Sequence, residues 1–257
     1  MSVRRIVSLV PSTTELLCAL GLADALVGVT VYCVEPREIV RTKTRVGGEK
    51  NPDLETIRAL RPDLVVANIE ENRREDVEAL RAAGIEVFIT FPRSVAESLG
   101  MIAALGAVTG AVAAARQLLE ELEPLHAAVR ARLAGRPATP CFYPIWRDPW
   151  MTVGGDTYIH DLLATCGGAS VFADRSRYPT ISLDEVAARS PEVVLLPDEP
   201  FRFRRRHLRD FDLYPDMPAV REGRVQLVDG KRFSWHGPRL ADALRTVPAM
   251  LGHRCLL

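Results

Sequence analysis

The stretch Arg5-Ile6-Val7-Ser8-Leu9-Val10-Pro11-Ser12-Thr13-Thr14-Glu15-Leu16-Leu17 runs from a short apolar segment through Pro-Ser straight into a helix-forming sequence. Ile6–Val10 reads as a buried strand and Thr13–Leu20 as a helix stopped by Gly21. Ser12-x-x-Glu15 has the spacing of a capping box, in which the hydroxyl and the carboxylate satisfy each other's backbone N–H groups. A strand that feeds a helix N-terminus leaves N–H groups at the carboxyl edge of a sheet, where open α/β folds bind ligands. Taken alone the stretch is equally an ordinary first βα unit. It gains weight because a related pattern returns in the second half of the chain.

Outward from this start, strands and helices alternate. Leu26–Val29 reads as a strand, and Asn51-Pro52-Asp53 opens a short helix through Leu60. Leu64–Ala67 is a strand, Arg74–Ala83 a helix closed by Gly84, and Val87–Thr90 a strand. That order implies a parallel sheet covered by helices. From Ala111 to Leu133 the texture changes: Leu118, Leu122, Leu125, Val129 and Leu133 recur at helical spacing, with Pro124 as the expected bend. About 22 residues of helix span roughly 33 Å, so this segment reads as a strut or as one more surface helix. The alternation then restarts with strands Cys141–Ile145 and Met151–Val153 and helix Tyr158–Cys166. Helix Leu183–Arg189, strands Val193–Leu196 and Val225–Val228, and helix Pro238–Leu251 follow. The expected division is a first lobe over 1–110, a connecting helix over 111–134 and a second lobe over 135–257.

Composition narrows the function classes. The 257 residues are 47% hydrophobic and 26% charged, with a formal net charge of +0. A neutral chain lacks the field that recruits nucleic acid or an anionic membrane. No run approaches the apolar length of a membrane span. Cys18, Cys33, Cys141, Cys166 and Cys255 form no C-x-x-C pair, which argues against a disulfide framework and a structural zinc site. Met1-Ser2-Val3 leads directly into the first strand without a leader, so the expectation is a cytoplasmic chain, or an extracytoplasmic one if a leader has been removed.

Two segments resemble each other. Asp53-Leu54-Glu55-Thr56-Ile57-Arg58-Ala59-Leu60-Arg61-Pro62-Asp63-Leu64-Val65-Val66 aligns with Ser182-Leu183-Asp184-Glu185-Val186-Ala187-Ala188-Arg189-Ser190-Pro191-Glu192-Val193-Val194-Leu195. Each is a short helix, a Pro-acid step and a buried strand, one copy per lobe. With the opening stretch and with Leu162-Leu163-Ala164-Thr165-Cys166-Gly167-Gly168-Ala169-Ser170-Val171-Phe172, they carry a family resemblance. The chain resembles the helical-backbone substrate-binding proteins of ABC importers, and is most similar to the vitamin B12-binding members. The resemblance implies two Rossmann-like α/β lobes with parallel sheets, joined by a single long helix. It implies a ligand in the cleft between them and no catalysis or required cofactor. It also implies that a carboxylate on each lobe docks into an ABC permease; by motif position these are Glu55 and Asp184, with Glu185 beside it. As plain residues, the same acids are solvated groups favouring a helix N-terminus.

The candidate ligand contacts are Ser12, Tyr32, Cys33, Glu35, Gly48, Glu49 and Asn68 in the first half. In the second they are Trp146, Trp150, Phe233, Trp235 and His236. Indoles in loops offer large apolar faces at low entropic cost and suit a corrin or porphyrin, though each is equally an anchor in a core. His236 is the candidate contact to a metal carried by the ligand, and His160 beside Asp161 is expected to satisfy local polar groups. The run Arg202-Phe203-Arg204-Arg205-Arg206-His207 is either a solvated face or a holder of carboxylate or phosphate. The leading expectation is a non-catalytic binder of a corrinoid such as cobalamin. The alternatives are a haem or ferric-siderophore binder, or a cytoplasmic enzyme or sensor built on the same fold. An enzyme would draw on Cys33, Glu35, Glu49, Glu70, Glu71 and His236.

Overall fold

A computed structural model describes residues 3–253; Cys255 lies outside them. The chain separates into two compact units. The first takes in everything up to Pro92, Ala96–Leu122 and Trp235–Pro238; the second takes in Arg93–Val95, Glu123–Ser234 and Arg239 onward.

In the first unit, strands β1 (Ile6–Ser8), β2 (Leu26–Val29), β3 (Thr44–Arg45), β4 (Leu64–Asn68) and β5 (Glu86–Thr90) alternate with helices α1 (Pro11–Ala19), α2 (Arg37–Val40), α3 (Leu54–Ala59) and α4 (Arg74–Ala82). The strands form one parallel sheet in the order β3-β2-β1-β4-β5. Helices on both faces leave a central strand no polar side, which is why Leu64-Val65-Val66-Ala67-Asn68 is buried throughout. Val7, Val65 and Val87 lie side by side across three strands and join Ile57 and Leu80 in the core.

The expected capping box does not form. Helix α1 begins at Pro11, its N-cap is Val10, and no side chain caps it. Proline occupies the first helical position without an N–H to satisfy, which moves the boundary one residue ahead of Ser12. The hydroxyls of Thr13 and Thr14 instead donate back to the Val10 carbonyl at 3.1 and 2.9 Å. Helix α5 (Val95–Thr109) also departs from expectation. Its Ala- and Gly-rich sequence carries too little contrast between faces to be read as periodic.

Helix α6 (Val112–Leu133) is the long helix anticipated from the leucine spacing. Residues to Leu122 group with the first unit and residues from Glu123 with the second. Leu122, Leu125, Val129 and Leu133 are buried along one side. Pro124 is exposed, so the carbonyl it leaves without an N–H partner faces water and the helix continues through it.

In the second unit, β6 (Thr139–Phe142), β7 (Pro144–Trp146), β8 (Met151–Thr152), α7 (Tyr158–Thr165), β9 (Gly168–Ser170), α8 (Leu183–Ala188) and β10 (Val193–Pro197) come first. A 3-10 helix (Arg205–Phe211), α9 (Pro218–Arg221), β11 (Val225–Val228), α10 (Lys231–Ser234) and α11 (Arg239–Met250) follow. The sheet is parallel, in the order β11-β10-β6-β9. The expected single strand Cys141–Ile145 is divided: β6 ends at Phe142 and Pro144 begins β7, which pairs antiparallel with β8. Proline has no N–H for the parallel ladder, so the chain leaves the sheet there.

The sequence repeat is a structural repeat. Asp53 caps α3 by accepting from the Thr56 N–H at 3.0 Å; Ser182 caps α8 by accepting from the Glu185 N–H at 3.1 Å. Each helix has six residues. Each is followed by a residue in the left-handed region, Arg61 at φ 45° and Ser190 at φ 51°, immediately before the proline. Each then enters a five-residue strand that is buried throughout. No described helix is long and apolar enough to cross a membrane.

Candidate functional site

In both sheets the chain order reverses next to the first strand, between β1 and β4 in one and between β6 and β10 in the other. Loops leaving the carboxyl ends of strands around such a point are where open α/β sheets hold ligands. Tyr32, Cys33, Glu35, Gly48 and Glu49 lie in loops that leave β2 and β3 at that end of the first sheet, and Asn68 ends β4 there.

In the first unit, the loop after β2 exposes Val31, Tyr32 (58%) and Val34. The loop after β4 exposes Ile69 to 58%. A side chain at Gly48 would collide with the Asn51 carboxamide and meet the Tyr32 ring at 3.5 Å, so glycine lets the loop after β3 pass beneath that ring. The same loop is tied to the one after β4. Asn72 Nδ2 donates to the Glu49 carbonyl at 3.0 Å, and Lys50 Nζ donates to the Glu70 carbonyl. Glu71 shares a side-chain hydrogen bond with Glu49, and burial raises its carboxyl above the usual range while Lys50 opposes the shift.

Two first-unit candidates belong to the scaffold. Cys33 is fully buried, with Thr14 Oγ1 at 3.1 Å and Thr30 Oγ1 at 3.2 Å from its sulfur. Burial raises its thiol pKa, the direction opposite to that of a nucleophile. Asn68 is spent internally: its amide donates to Thr90 Oγ1 at 3.1 Å and its carbonyl accepts from the Glu70 N–H at 2.8 Å. Ser12 is buried within the first turn of α1. Glu35 is half-buried, ahead of Pro36.

Trp235 and His236 fall in the segment that groups with the first unit. Gly237 follows at φ +110°, and a side chain there would press on Leu16 of α1 at 3.3 Å. Trp235 is buried. Burial lowers the His236 pKa to about 4, so its imidazole is neutral at physiological pH. A neutral imidazole is the form that can ligate a metal. Among the described residues, no group of three His, Cys, Asp or Glu side chains is placed to hold a metal ion by itself.

In the second unit the two indoles have different roles. Trp146, at the end of β7, is 42% exposed and meets the Phe201 ring edge-on at 5.7 Å. Trp150, half-buried, stacks on Phe203 at 5.6 Å and touches Phe211 edge-on at 5.9 Å, packed against a core cluster. It is an anchor rather than a ligand-facing residue. Phe233 is likewise removed from the surface, fully buried against Tyr143 with ring centroids 5.1 Å apart. Helix α10 carries it inward, where an open loop had been expected. The Tyr143 hydroxyl is buried without a hydrogen-bond partner, and its pKa lies well above normal through burial and the nearby Glu199, Asp198 and Asp229.

The basic run is partly buried: His207 packs against Phe201 and Phe203, while Arg202, Arg204, Arg205 and Arg206 are exposed. His160 does not play the expected part. Its Nδ1 is buried and unpartnered, because the Asp161 carboxylate accepts the Val95 N–H at 2.7 Å. A groove of about 320 Å³ lies in the first unit beside β5 and α5, lined by Phe88, Ile89, Phe91 and Met101 among others; no candidate residue lines it.

The two acids of the repeat occupy equivalent places. Glu55 and Asp184 are each the second residue of their helix. Glu55 is exposed and pairs with Arg58 at 2.5 Å, and Asp184 is exposed and accepts from the Tyr214 hydroxyl at 2.7 Å. Glu185, the suggested substitute, is held by Arg175 at 3.0 Å and Arg189 at 3.2 Å. The exposed Val31 and the half-buried Phe201 were not singled out in the sequence; the signal was apolar residues just past strand ends.

The family described as periplasmic binding protein matches residues 6–231, and the chain belongs to it. It is 33% identical over 193 residues to the vitamin B12-binding protein of Salmonella choleraesuis (strain SC-B67), covering 75% of this chain and 71% of that one. Its fold matches the periplasmic vitamin B12 binding protein of Vibrio cholerae with a TM-score of 0.86 at 24% identity, over 97% of both chains. It also matches the periplasmic heme-binding protein of Roseiflexus sp. RS-1, with a TM-score of 0.85 at 26% identity over 97% of this chain and 98% of that one.

Proposed function

We propose that this member of the periplasmic binding protein family is a non-catalytic binder of a planar metal chelate, with a corrinoid as the first reading and haem as the second. The observation that carries this is the exposure of Val31, Tyr32, Val34 and Ile69 on loops after β2 and β4, and of Trp146 at the end of β7. In each unit, exposed apolar residues near the sheet mark a surface that a ligand covers. Tyrosine and tryptophan faces suit a flat macrocycle whose polar rim stays wet. The vitamin B12-binding relatives support the corrinoid, and the heme-binding neighbour supports haem. Tyr32, Glu35, Glu49, Trp146, Trp235 and His236 are the side chains assigned to contact, with Ser12 and Gly48 contributing through backbone. The raised Cys33 thiol supports a binder over an enzyme.

Glu55 and Asp184 are the proposed docking points for an ABC permease, and such a partner places the chain outside the cytoplasm. The test is a titration with hydroxocobalamin and with haemin, followed by the visible bands. At least one chelate shifts its spectrum on binding, and Trp146→Ala weakens that binding by about tenfold, the equivalent of one stacked contact. Unchanged spectra with both chelates at millimolar concentration overturn the reading.

A further inference from the structure

In the second unit, the segment leaving β10 is pinned at two points. The Phe201 N–H donates to the Ile145 carbonyl at 3.3 Å, and the Phe203 N–H donates to the Pro197 carbonyl at 3.1 Å. Phe201 and Phe203 face inward, 4.8 Å apart. The arginines that alternate with them, Arg202 and Arg204, are therefore turned outward, followed by the exposed Arg205 and Arg206. Phe201 also carries the edge contact to the exposed Trp146, so the backbone of this segment runs beside the open indole while its arginines reach into solvent.

Several other arginines of the chain are ion-paired. Arg58, Arg73, Arg74, Arg189 and Arg232 each have a carboxylate partner. Arg202, Arg204 and Arg205 have none among the described residues, although acids lie close in sequence. Those acids are turned elsewhere. Asp198 accepts the Gly230 N–H at 2.8 Å and Glu199 accepts from Ser234 Oγ at 3.1 Å. Asp210 pairs with Arg147 at 2.8 Å. Arg206 is committed through its Nε to His207 at 3.0 Å. Three planar, permanently charged forks are thus left without an anion on the segment that passes Trp146, groups suited to a carboxylate or phosphate.

We infer that Arg202, Arg204 and Arg205 form an oxyanion-binding edge next to Trp146, and that the chelate bound by this chain carries a carboxylate or phosphate on its rim. The inference rests on the chelate-binding reading above and narrows its ligand class. Carboxylates are the rim anions of haem, and a phosphodiester is the rim anion of a complete cobalamin.

The experiment compares matched ligands on the wild-type chain and on the triple variant Arg202→Gln, Arg204→Gln, Arg205→Gln. Haemin is set against its dimethyl ester, and hydroxocobalamin against cobinamide, which lacks the phosphodiester. Loss of charge-assisted bonds weakens the anion-bearing ligand by about tenfold or more and leaves its anion-free analogue unchanged. A loss confined to haemin identifies carboxylates; a loss confined to hydroxocobalamin identifies the phosphodiester. Added salt weakens wild-type binding of the same ligand. Equal loss for both members of a pair, or no loss for either, overturns the inference while the chelate-binding reading stands. A wild-type chain that binds none of the four overturns that reading and this inference with it. The three side chains are exposed, so thermal unfolding is unchanged; if the triple variant fails to fold, Arg202→Gln alone carries the comparison.

Discussion

Helix α3 with strand β4, and helix α8 with strand β10, are two versions of one device. The first is capped by Asp53 and carries Glu55 paired to Arg58; the second is capped by Ser182 and carries Asp184 bonded to Tyr214. What the two share is backbone geometry: a six-residue helix, a left-handed residue before proline, and a strand with no exposed face. What differs is the chemistry that meets water. The difference is larger at the carboxyl ends of the sheets. The first unit leaves Tyr32 and Ile69 in solvent, whereas the second folds most of its rings inward and leaves Trp146 and three unpaired arginines outside. The packing of a parallel sheet is demanding and is reproduced; the loops beyond it are free to differ and carry the specificity.

The contrast within the second unit predicts the largest effect. Trp150→Ala removes a half-buried ring stacked on Phe203 and costs about 2–3 kcal/mol of stability, whereas Trp146→Ala costs less than about 1 kcal/mol and acts on ligand binding. Urea unfolding of both variants measures this, and equal losses would erase the assignment of one indole to the core and the other to the surface. Next in size is a pH effect seated in the first unit. The buried His236 has a folded pKa of about 4, against about 6.5 when unfolded. The unfolded chain binds the extra proton, so this contribution is complete above about pH 6.5 and is lost as pH falls toward 4. His236→Gln flattens that part of the stability–pH curve by roughly 1–3 kcal/mol. A curve identical to wild type would show that the imidazole is solvated.

The smallest effect separates the two caps. Ser182→Ala costs about 1 kcal/mol, equally at pH 7 and pH 3, because a hydroxyl does not titrate. Asp53 has its pKa lowered by the hydrogen bonds from Thr56. Its contribution is present above the ordinary carboxyl pKa and fades as pH falls through the depressed value. Asp53→Ala is therefore costly at pH 7 and milder at pH 3. Thermal melts at the two pH values decide whether the copies differ in this way.

Much of the fold could be read without coordinates. The strands Leu26–Val29 and Val225–Val228 appear with the expected ends, and the leucine ladder of α6 appears in full, because burial imposes periods of two and 3.6 on a sequence. The elements missed were either of weak contrast between faces, as α5 is, or short: α2, β3, β9, the 3-10 helix, α9 and α10. For the candidate residues, the sequence indicated which loops hold them but not which way their side chains turn. Tyr32 and Trp146 face solvent where an aromatic contact was expected, while Cys33, Asn68, Trp150 and Phe233 sit in the same loops and turn inward.

The amino-acid order alone determined the parallel α/β architecture, the repeat and the long helix, since these follow from local periodicity, proline and capping chemistry along the chain. Only the tertiary structure decided which loop side chains meet water. It showed that Asp198 and Glu199 serve the Gly230 and Ser234 turn instead of the adjacent arginines. Those choices depend on which groups the folded chain brings within hydrogen-bonding distance, and sequence separation does not encode that distance.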